Sequence, residues 1–335
     1  MDTETLLKNT SRSLYLSVQV LPKAMRPAFS IAYLLCRYAD TIADTAILPI
    51  SRRLYWIERF KDLIVTQNAE QIEQLTKEID GASENPYEKE LIKRLHPCLE
   101  AFNRISKEQK PLILEVVQSV CEGMCLDLNF FPQETGLQPK AFPSHNELEH
   151  YCRLMGGMPG LFWSKLIYTT TNIQMGEEKF YQLGKHIGDA LQIVNILRDI
   201  PKDLRINRCY FPLEDLQKES LCEKDLLLSE NSVRFEPIKK KWILWGVERL
   251  KSGKEYFRQL PKIQLGQRAA VAWPMLWTAD SLYKLLLEKD LLNPKKRVKI
   301  SRWVIYSTML LTPFILVSNT LFEKWLDRKL DKFSR

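Results

Sequence analysis

The chain has 335 residues, 45% apolar and 27% charged, with 12 glycines and 17 prolines. That composition packs a core in one large domain or two small ones and excludes collagen-like, low-complexity and largely disordered chains. The net charge is +8, but residues 291–335 hold ten Lys/Arg against three acids, so the body is nearly balanced and the total does not imply a nucleic-acid groove.

In chain order, helical apolar spacing runs over 11–38, 51–67, 87–104, 107–130, 146–170, 176–199, 236–258 and 265–290. Strand-like alternation is nearly absent. The punctuation falls between helices, at 81–87 and 131–145. The pattern predicts an all-α bundle over 1–290 and shows no internal repeat. The opening residues MDTETLLKNTSRS are polar with no apolar run, so no signal peptide is expected and the body is expected in the cytoplasm. Seven cysteines lack a C-x-x-C, and the four histidines lack ligand spacing with them; reduced, mostly buried thiols are expected rather than zinc or disulfides.

Residues 291–335 form a basic tail. Its stretch 303–322 carries no charge over 20 residues, about 30 Å as a helix, which is long enough to cross the hydrocarbon of a bilayer. Lys295, Lys296, Arg297, Lys299 and Arg302 precede it, which keeps the body on the cytoplasmic side. Pro313 and six Ser/Thr/Asn residues inside it leave open a buried core helix or a helix lying in the membrane interface. Membrane association through this tail is the expectation.

The chemistry starts from two aspartate pairs. Asp40 and Asp44 end one apolar stretch, and Asp199 and Asp203 end another. At i, i+4 on a helix both carboxylates of a pair share a face and repel, so something cationic is expected between them. Few hard oxygen ligands, with room for water and substrate oxygens, suit Mg²⁺ carrying a diphosphate. Arg37, Arg198 and Arg208 accompany the pairs, and guanidinium forks bind phosphate oxygens. Pro201 opposes regular helix between Asp199 and Asp203, which predicts a kinked turn at Asp203. MGGMPG at 155–160 lacks the strand before it that a dinucleotide loop needs, so its glycines read as places where a ligand chain passes or helices cross.

Three blocks in order, SRSLYLSVQVLPKAMRPAFSIAYLLCRYADTIAD at 11–44, YCRLMGGMPGLFW at 151–163 and GDALQIVNILRDIPKDLRINRCYFP at 188–212, resemble the squalene/phytoene synthase family over about residues 10–300. The resemblance implies an all-α isoprenoid-synthase bundle around a central cavity. It matches Asp40, Asp44, Asp199 and Asp203 to metal-binding acids, and Ser11, Arg12, Arg37, Gln192 and Asn195 to diphosphate-side positions. Tyr151, Arg198, Arg208 and Tyr33 match catalytic positions, Tyr151 through proton or cation handling and Tyr33 as an aromatic near the first diphosphate. Leu14, Gly156 and Pro159 depart from the family's usual residues, which puts the shape of the prenyl tunnel in doubt.

The activity so implied is Mg²⁺-dependent joining of two farnesyl diphosphates through presqualene diphosphate, followed by NADPH reduction to squalene. Dehydrosqualene or phytoene synthesis, without a reductant, is the alternative within the same chemistry. A non-catalytic prenyl-lipid-binding membrane partner is the alternative outside it. The motifs do not separate these products, nor do they give the oligomeric state.

Overall fold

The computed structural model describes residues 14–45, 48–80 and 86–334. The elements are α1 (Leu14–Gln19), α2 (Arg26–Asp44), α3 (Ile50–Thr66), α4 (Ala69–Ile79), α5 (Pro86–Lys93), α6 (Leu95–Asn103) and α7 (Lys110–Phe130). Strand β1 (Lys140–Phe142), α8 (His145–Cys152), a π turn (Arg153–Gly157), α9 (Met158–Thr170) and α10 (Glu177–Asp203) follow. The rest are β2 (Arg208–Pro212), α11 (Leu213–Lys218), α12 (Ser232–Gln259), α13 (Leu265–Leu287), α14 (Arg302–Leu316) and α15 (Asn319–Leu330). The molecule is all-α apart from β1 and β2, which pair in parallel with Lys140 opposite Arg208. Two compact units divide the chain, Met1–Phe130 with Lys165–Thr170 and Phe131–Ser164 with Thr171–Arg335.

In the first unit α2 packs on α3, α6 and α7. The continuous helix expected over 11–38 is instead broken between Gln19 and Arg26, where Pro22 lacks the N–H a helix interior needs. The helix also runs past residue 38, to Asp44. Its inner face buries Ala28, Ile31, Leu34, Leu35, Tyr38 and Ile42. Two contacts fix its carboxyl half: the Tyr38 hydroxyl donates to the Leu91 carbonyl, and the buried Arg53 donates to the carbonyls of Ala43 at 2.9 Å and Leu48 at 3.0 Å. The Ala43 carbonyl lies in the last turn of α2, where no intrahelical donor reaches it, and Leu48 lies in the segment that leads into α3. Helix α4, absent from the sequence expectation, is capped by Asn68, whose side chain accepts from the Gln71 N–H.

In the second unit α10 packs against α12, α13 and the π turn. Glycines permit the closest approach: a Cβ on Gly156 would lie 2.6 Å from the Gln192 Cβ, and one on Gly188 would lie 2.6 Å from the Gly156 carbonyl carbon. The segment 155–160 is helical, so the MGGMPG glycines mark a helix crossing. Helix α10 continues through Pro201 to Asp203, so Asp199 and Asp203 stay on one helix rather than on either side of a break.

The tail belongs to this unit, with α14 and α15 packed on α13 and α15 also on α12. The single helix expected over 303–322 is not formed: α14 ends at Leu316 and α15 starts at Asn319. No helix among the described residues is long and apolar enough to cross a membrane. The corner is held by Arg268, fully buried on α13, which donates to the carbonyls of Leu316 and Leu260, each at 2.5 Å, and to Asn319 Oδ1 at 2.6 Å. Ser318 then caps α15 by accepting from the Leu321 N–H. All seven cysteines are free thiols; Cys98, Cys121, Cys152 and Cys209 are buried, whereas Cys222 is exposed.

Candidate active site

On α2 the otherwise buried helix leaves one stripe open. Tyr33, Arg37 and Asp40 are half-buried and Asp44 is exposed, while Leu34, Leu35, Tyr38, Ala39, Thr41, Ile42 and Ala43 are buried. Spacings of four, three and four place these four residues on one helix face. The Arg37 guanidinium pairs with the Asp40 carboxylate. Arg53, which sequence reasoning passed over, supports the last turn beneath Asp44 through its bond to Ala43. Ser11 and Arg12 lie outside the described residues.

The second acid helix repeats this design within its own unit. Gln192, Asn195, Asp199 and Asp203 follow at spacings of three, four and four, partly or fully exposed, while Ile193, Val194, Ile196, Leu197 and Ile200 are buried. Asn195 Nδ2 donates to Gln192 Oε1 at 3.3 Å. Asp199 receives a fork from Arg198, with Nη2 to Oδ2 at 2.6 Å and Nε to Oδ1 at 3.2 Å. Arg297, from the segment after α13, approaches the same carboxylate at 3.7 Å. In the sequence it was only one member of a basic run; no local pattern tied it to Asp199.

Past α10 the chain enters β2. Asn207, in the left-handed region at φ 64°, donates to the Thr135 carbonyl and accepts from the Gln138 N–H. This folds residues 134–138 against β2, and the largely buried Arg208 pairs with Glu134 at 3.1 Å. Arg208, expected beside phosphate, thus has a carboxylate partner of its own. The next inward side chain, Tyr210, stacks on Tyr151 with centroids 4.8 Å apart and planes 16° from parallel. Both rings are buried against Phe142, and Phe131 closes on Tyr210. Tyr210 was legible only as a letter of the R-x-Y-x-P pattern.

A buried ion network joins the π turn, α10 and α12. Arg153 of the π turn donates to both oxygens of Asp189, which has no exposed surface, and Arg249 of α12 approaches it at 3.4 Å. Burial pushes the Asp189 carboxyl up from its ordinary value despite these partners. The network ties the π turn to α10 one turn before Gln192, so it orients the helix that bears Asp199. Sequence reasoning missed it because neither residue belongs to a paired motif.

Both acid pairs offer hard oxygen donors flanked by guanidinium, a donor set that suits Mg²⁺ with diphosphate rather than a soft metal. Among the described residues no group of three or more His, Cys, Asp or Glu could hold a metal ion. A pair that held Mg²⁺ would supply two protein carboxylates, and the other ligands would be substrate and water oxygens, as is usual for Mg²⁺.

The sequence model of the squalene/phytoene synthase family matches residues 7–304, and the chain belongs to that family. The presqualene diphosphate synthase of Zymomonas mobilis is 26% identical over 302 residues, covering 90% of this chain and 88% of that protein. The squalene synthase of Schizosaccharomyces pombe is 26% identical over 227 residues, 68% of this chain; the match spans only 47% of that longer relative. Among solved structures, TcSQS in complex with the ligand E5700 matches with a TM-score of 0.78 at 18% identity, over 99% of this chain and 96% of that one. The fold is that of the squalene synthase-type isoprenoid synthases.

Proposed function

We propose that the chain is a prenyl transferase that joins two farnesyl diphosphates head to head to presqualene diphosphate and converts that product, with NADPH, to squalene. One observation carries the reading: in the fold of this family two helices each present an i, i+4 carboxylate pair beside an arginine, at least partly open to solvent, while the apolar residues around the pair are largely buried. A binding protein or scaffold has no need of such acids, whose mutual repulsion destabilises it.

Asp40, Asp44, Asp199 and Asp203 would hold Mg²⁺, which when bound supplies positive charge to the departing pyrophosphate oxygens. Arg37 and Arg198 now neutralise Asp40 and Asp199. With diphosphate present, the same guanidinium groups are placed to donate to its oxygens. The first C1–O bond breaks with its electron pair leaving on pyrophosphate. The allylic cation is then taken up by the double bond of the second farnesyl chain, and proton loss closes the cyclopropane. The stacked Tyr151 and Tyr210 offer a π face to a cation and a hydroxyl to a proton, in surroundings closed to water by Phe131 and Phe142. For squalene the second pyrophosphate leaves with its electron pair, and NADPH would supply the hydride that quenches the resulting cation. Phytoene or dehydrosqualene synthesis uses the same condensation and ends in proton loss instead.

The test incubates the purified chain with farnesyl diphosphate and Mg²⁺, with and without NADPH, and separately with geranylgeranyl diphosphate. The expected result is squalene only with NADPH, and presqualene diphosphate without it. A C30 or C40 polyene formed without reductant selects the second reading. No release of pyrophosphate under any of these conditions contradicts both.

A further inference from the structure

Tyr151 sits midway between two residues, Glu149 and Arg153, that are tied into one clasp of charges. Glu149 on α8 accepts from Arg249 Nη2 and from Trp245 Nε1, each at 3.1 Å. Arg249 lies 4.2 Å over the Trp245 ring and brings its Nε to 3.4 Å from Asp189 Oδ2. Asp189 in turn accepts from Arg153 Nη2 at 2.9 Å and from Arg153 Nε at 3.1 Å. The clasp thus runs from α8 through α12 and α10 to the π turn, and closes on both sides of Tyr151.

Helical spacing decides what such a clasp does. Glu149 and Arg153 are four apart and share a face, whereas Tyr151, two from each, points about 200° round the axis. Holding one face fixes the rotation of the helix, and with it the direction of the side chain on the other face. There Tyr151 meets Tyr210 and Phe142. Aromatic pairs are favourable over centroid separations of about 4.5–7 Å, so stacking alone does not fix where the Tyr151 hydroxyl stands. Bulk stability does not account for the clasp, because apolar side chains of similar size stabilise a crossing as well as a buried ion pair does, or better. Room is also kept for it: a Cβ on Gly157 would lie 2.4 Å from Asp189 Oδ1 and 2.6 Å from Arg153 Cδ. The turn it braces, Arg153–Gly157, is a π turn, an element that occurs frequently at functional sites.

We infer that Arg249 is a positioning residue for prenyl transfer: by joining Glu149 to Asp189 it aims the Tyr151 hydroxyl and sets it in fixed relation to the polar face of α10 that begins at Gln192. Arg249 itself touches no reacting atom and acts through Tyr151. The inference rests on the reading that Tyr151 serves the reaction proposed above, and it holds whichever product the chain makes.

The clasp can be opened without stranding a buried charge. Arg249→Met leaves Asp189 with the Arg153 fork, and Glu149→Ala leaves Asp189 with both guanidinium groups. Steady-state turnover of farnesyl diphosphate with Mg²⁺ is measured for wild type, these two variants, Tyr151→Phe and Arg249→Met/Tyr151→Phe. A melting curve and amide hydrogen exchange over residues 149–157 accompany each. Both clasp variants are expected to lose about tenfold in kcat with KM within about twofold of wild type, and to exchange faster over 149–157. The double variant should be no more than about twofold slower than Tyr151→Phe, because a residue that acts through another has nothing further to lose once that other is removed. A clasp that only stabilises the fold gives losses that multiply, so multiplied losses overturn the inference. Wild-type kcat in either clasp variant or in Tyr151→Phe, a rise in KM alone, or unchanged exchange overturns it too. Wild type that releases no pyrophosphate refutes the prenyl-transfer reading instead; hydrogen exchange then still decides whether the clasp holds the turn that bears Tyr151.

Discussion

Tyr151 and Tyr210 lie stacked, 4.8 Å between ring centroids, with their hydroxyls 3.5 Å apart. One ring comes from α8 and the other from β2, so the pair exists only because β1 and β2 bring the segments around residues 140 and 210 together. Tyr151→Phe keeps the ring and its stacking and removes one hydroxyl. The folded chain should melt as wild type, its KM for farnesyl diphosphate should hold, and turnover should fall by about 100-fold if this hydroxyl handles the proton. Steady-state kinetics with a melting curve checks this; an unchanged kcat removes Tyr151 from the chemistry.

Arg268 binds two backbone carbonyls at 2.5 Å and Asn319 at 2.6 Å, and its guanidinium lies 4.0 Å over the Phe257 ring. Burial lowers its pKa to about 10, still well above neutrality, so it is charged under ordinary conditions. Arg268→Ala strands those carbonyls without donors and should cost about 3 kcal/mol or more, read by urea denaturation. The loss should appear at all pH values between 6 and 8, since the guanidinium stays charged throughout that range.

Gly188 faces Gly156 across the crossing of α10 with the π turn, and a Cβ there would meet backbone, which cannot swing aside. Gly188→Ala should destabilise the chain by about 1–3 kcal/mol or more. Gly176→Ala is the control, since a Cβ at Gly176 meets nothing within 4 Å. Equal melting temperatures for the two variants would contradict the crossing.

Glu78 accepts from Arg52 Nη2 at 2.5 Å and Nε at 2.7 Å, and from the Trp56 indole N–H at 2.8 Å. The hydrogen bonds from Arg52 and then Trp56 outweigh burial and hold its carboxyl at about 2 rather than 4.5. Because the folded value is the lower one, its contribution is present in full above pH 4.5 and is lost as pH falls toward 2. Glu78→Gln should be less stable than wild type at pH 6, and the gap should narrow through that acid window, as thermal melts at stepped pH would show.

The sequence carried the architecture well where one period dominated. The stretches ending at Asp40–Asp44 and Asp199–Asp203 read as helices because their apolar residues repeat at helical spacing, and both are helices. Boundaries failed where a single residue competes with the pattern. Pro22 breaks the first stretch, but Pro201, in the last turn of α10, leaves the helix intact. The segment 303–322 misled because an unbroken apolar count does not register the two polar side chains, of Arg268 and Ser318, that turn the chain at residue 317. Helix α4 was overlooked because Ile72, Leu75 and Ile79 are a thin stripe in a polar segment.

Within the site, the acids and their adjacent arginines were legible because both partners sit within one helix turn. Tyr210, Asp189 and Arg297 were not, since each gains its meaning from a residue tens of positions away: Tyr210 from Tyr151, Asp189 from Arg153, and Arg297 from Asp199. Periodicity reports local faces and is silent on such pairings.

The most direct test of the central claim follows pyrophosphate released from farnesyl diphosphate in the presence of Mg²⁺ by wild type, Asp44→Asn and Asp199→Asn, with far-ultraviolet circular dichroism on each. Asn keeps the size of the side chain and removes its charge, and both sites are partly open to solvent, so the helical spectrum should be unchanged. The account predicts that wild type releases pyrophosphate and that each variant, fully folded, loses it by about 100-fold or more. Wild-type release from either folded variant would contradict the assignment of these carboxylates to the ionising diphosphate.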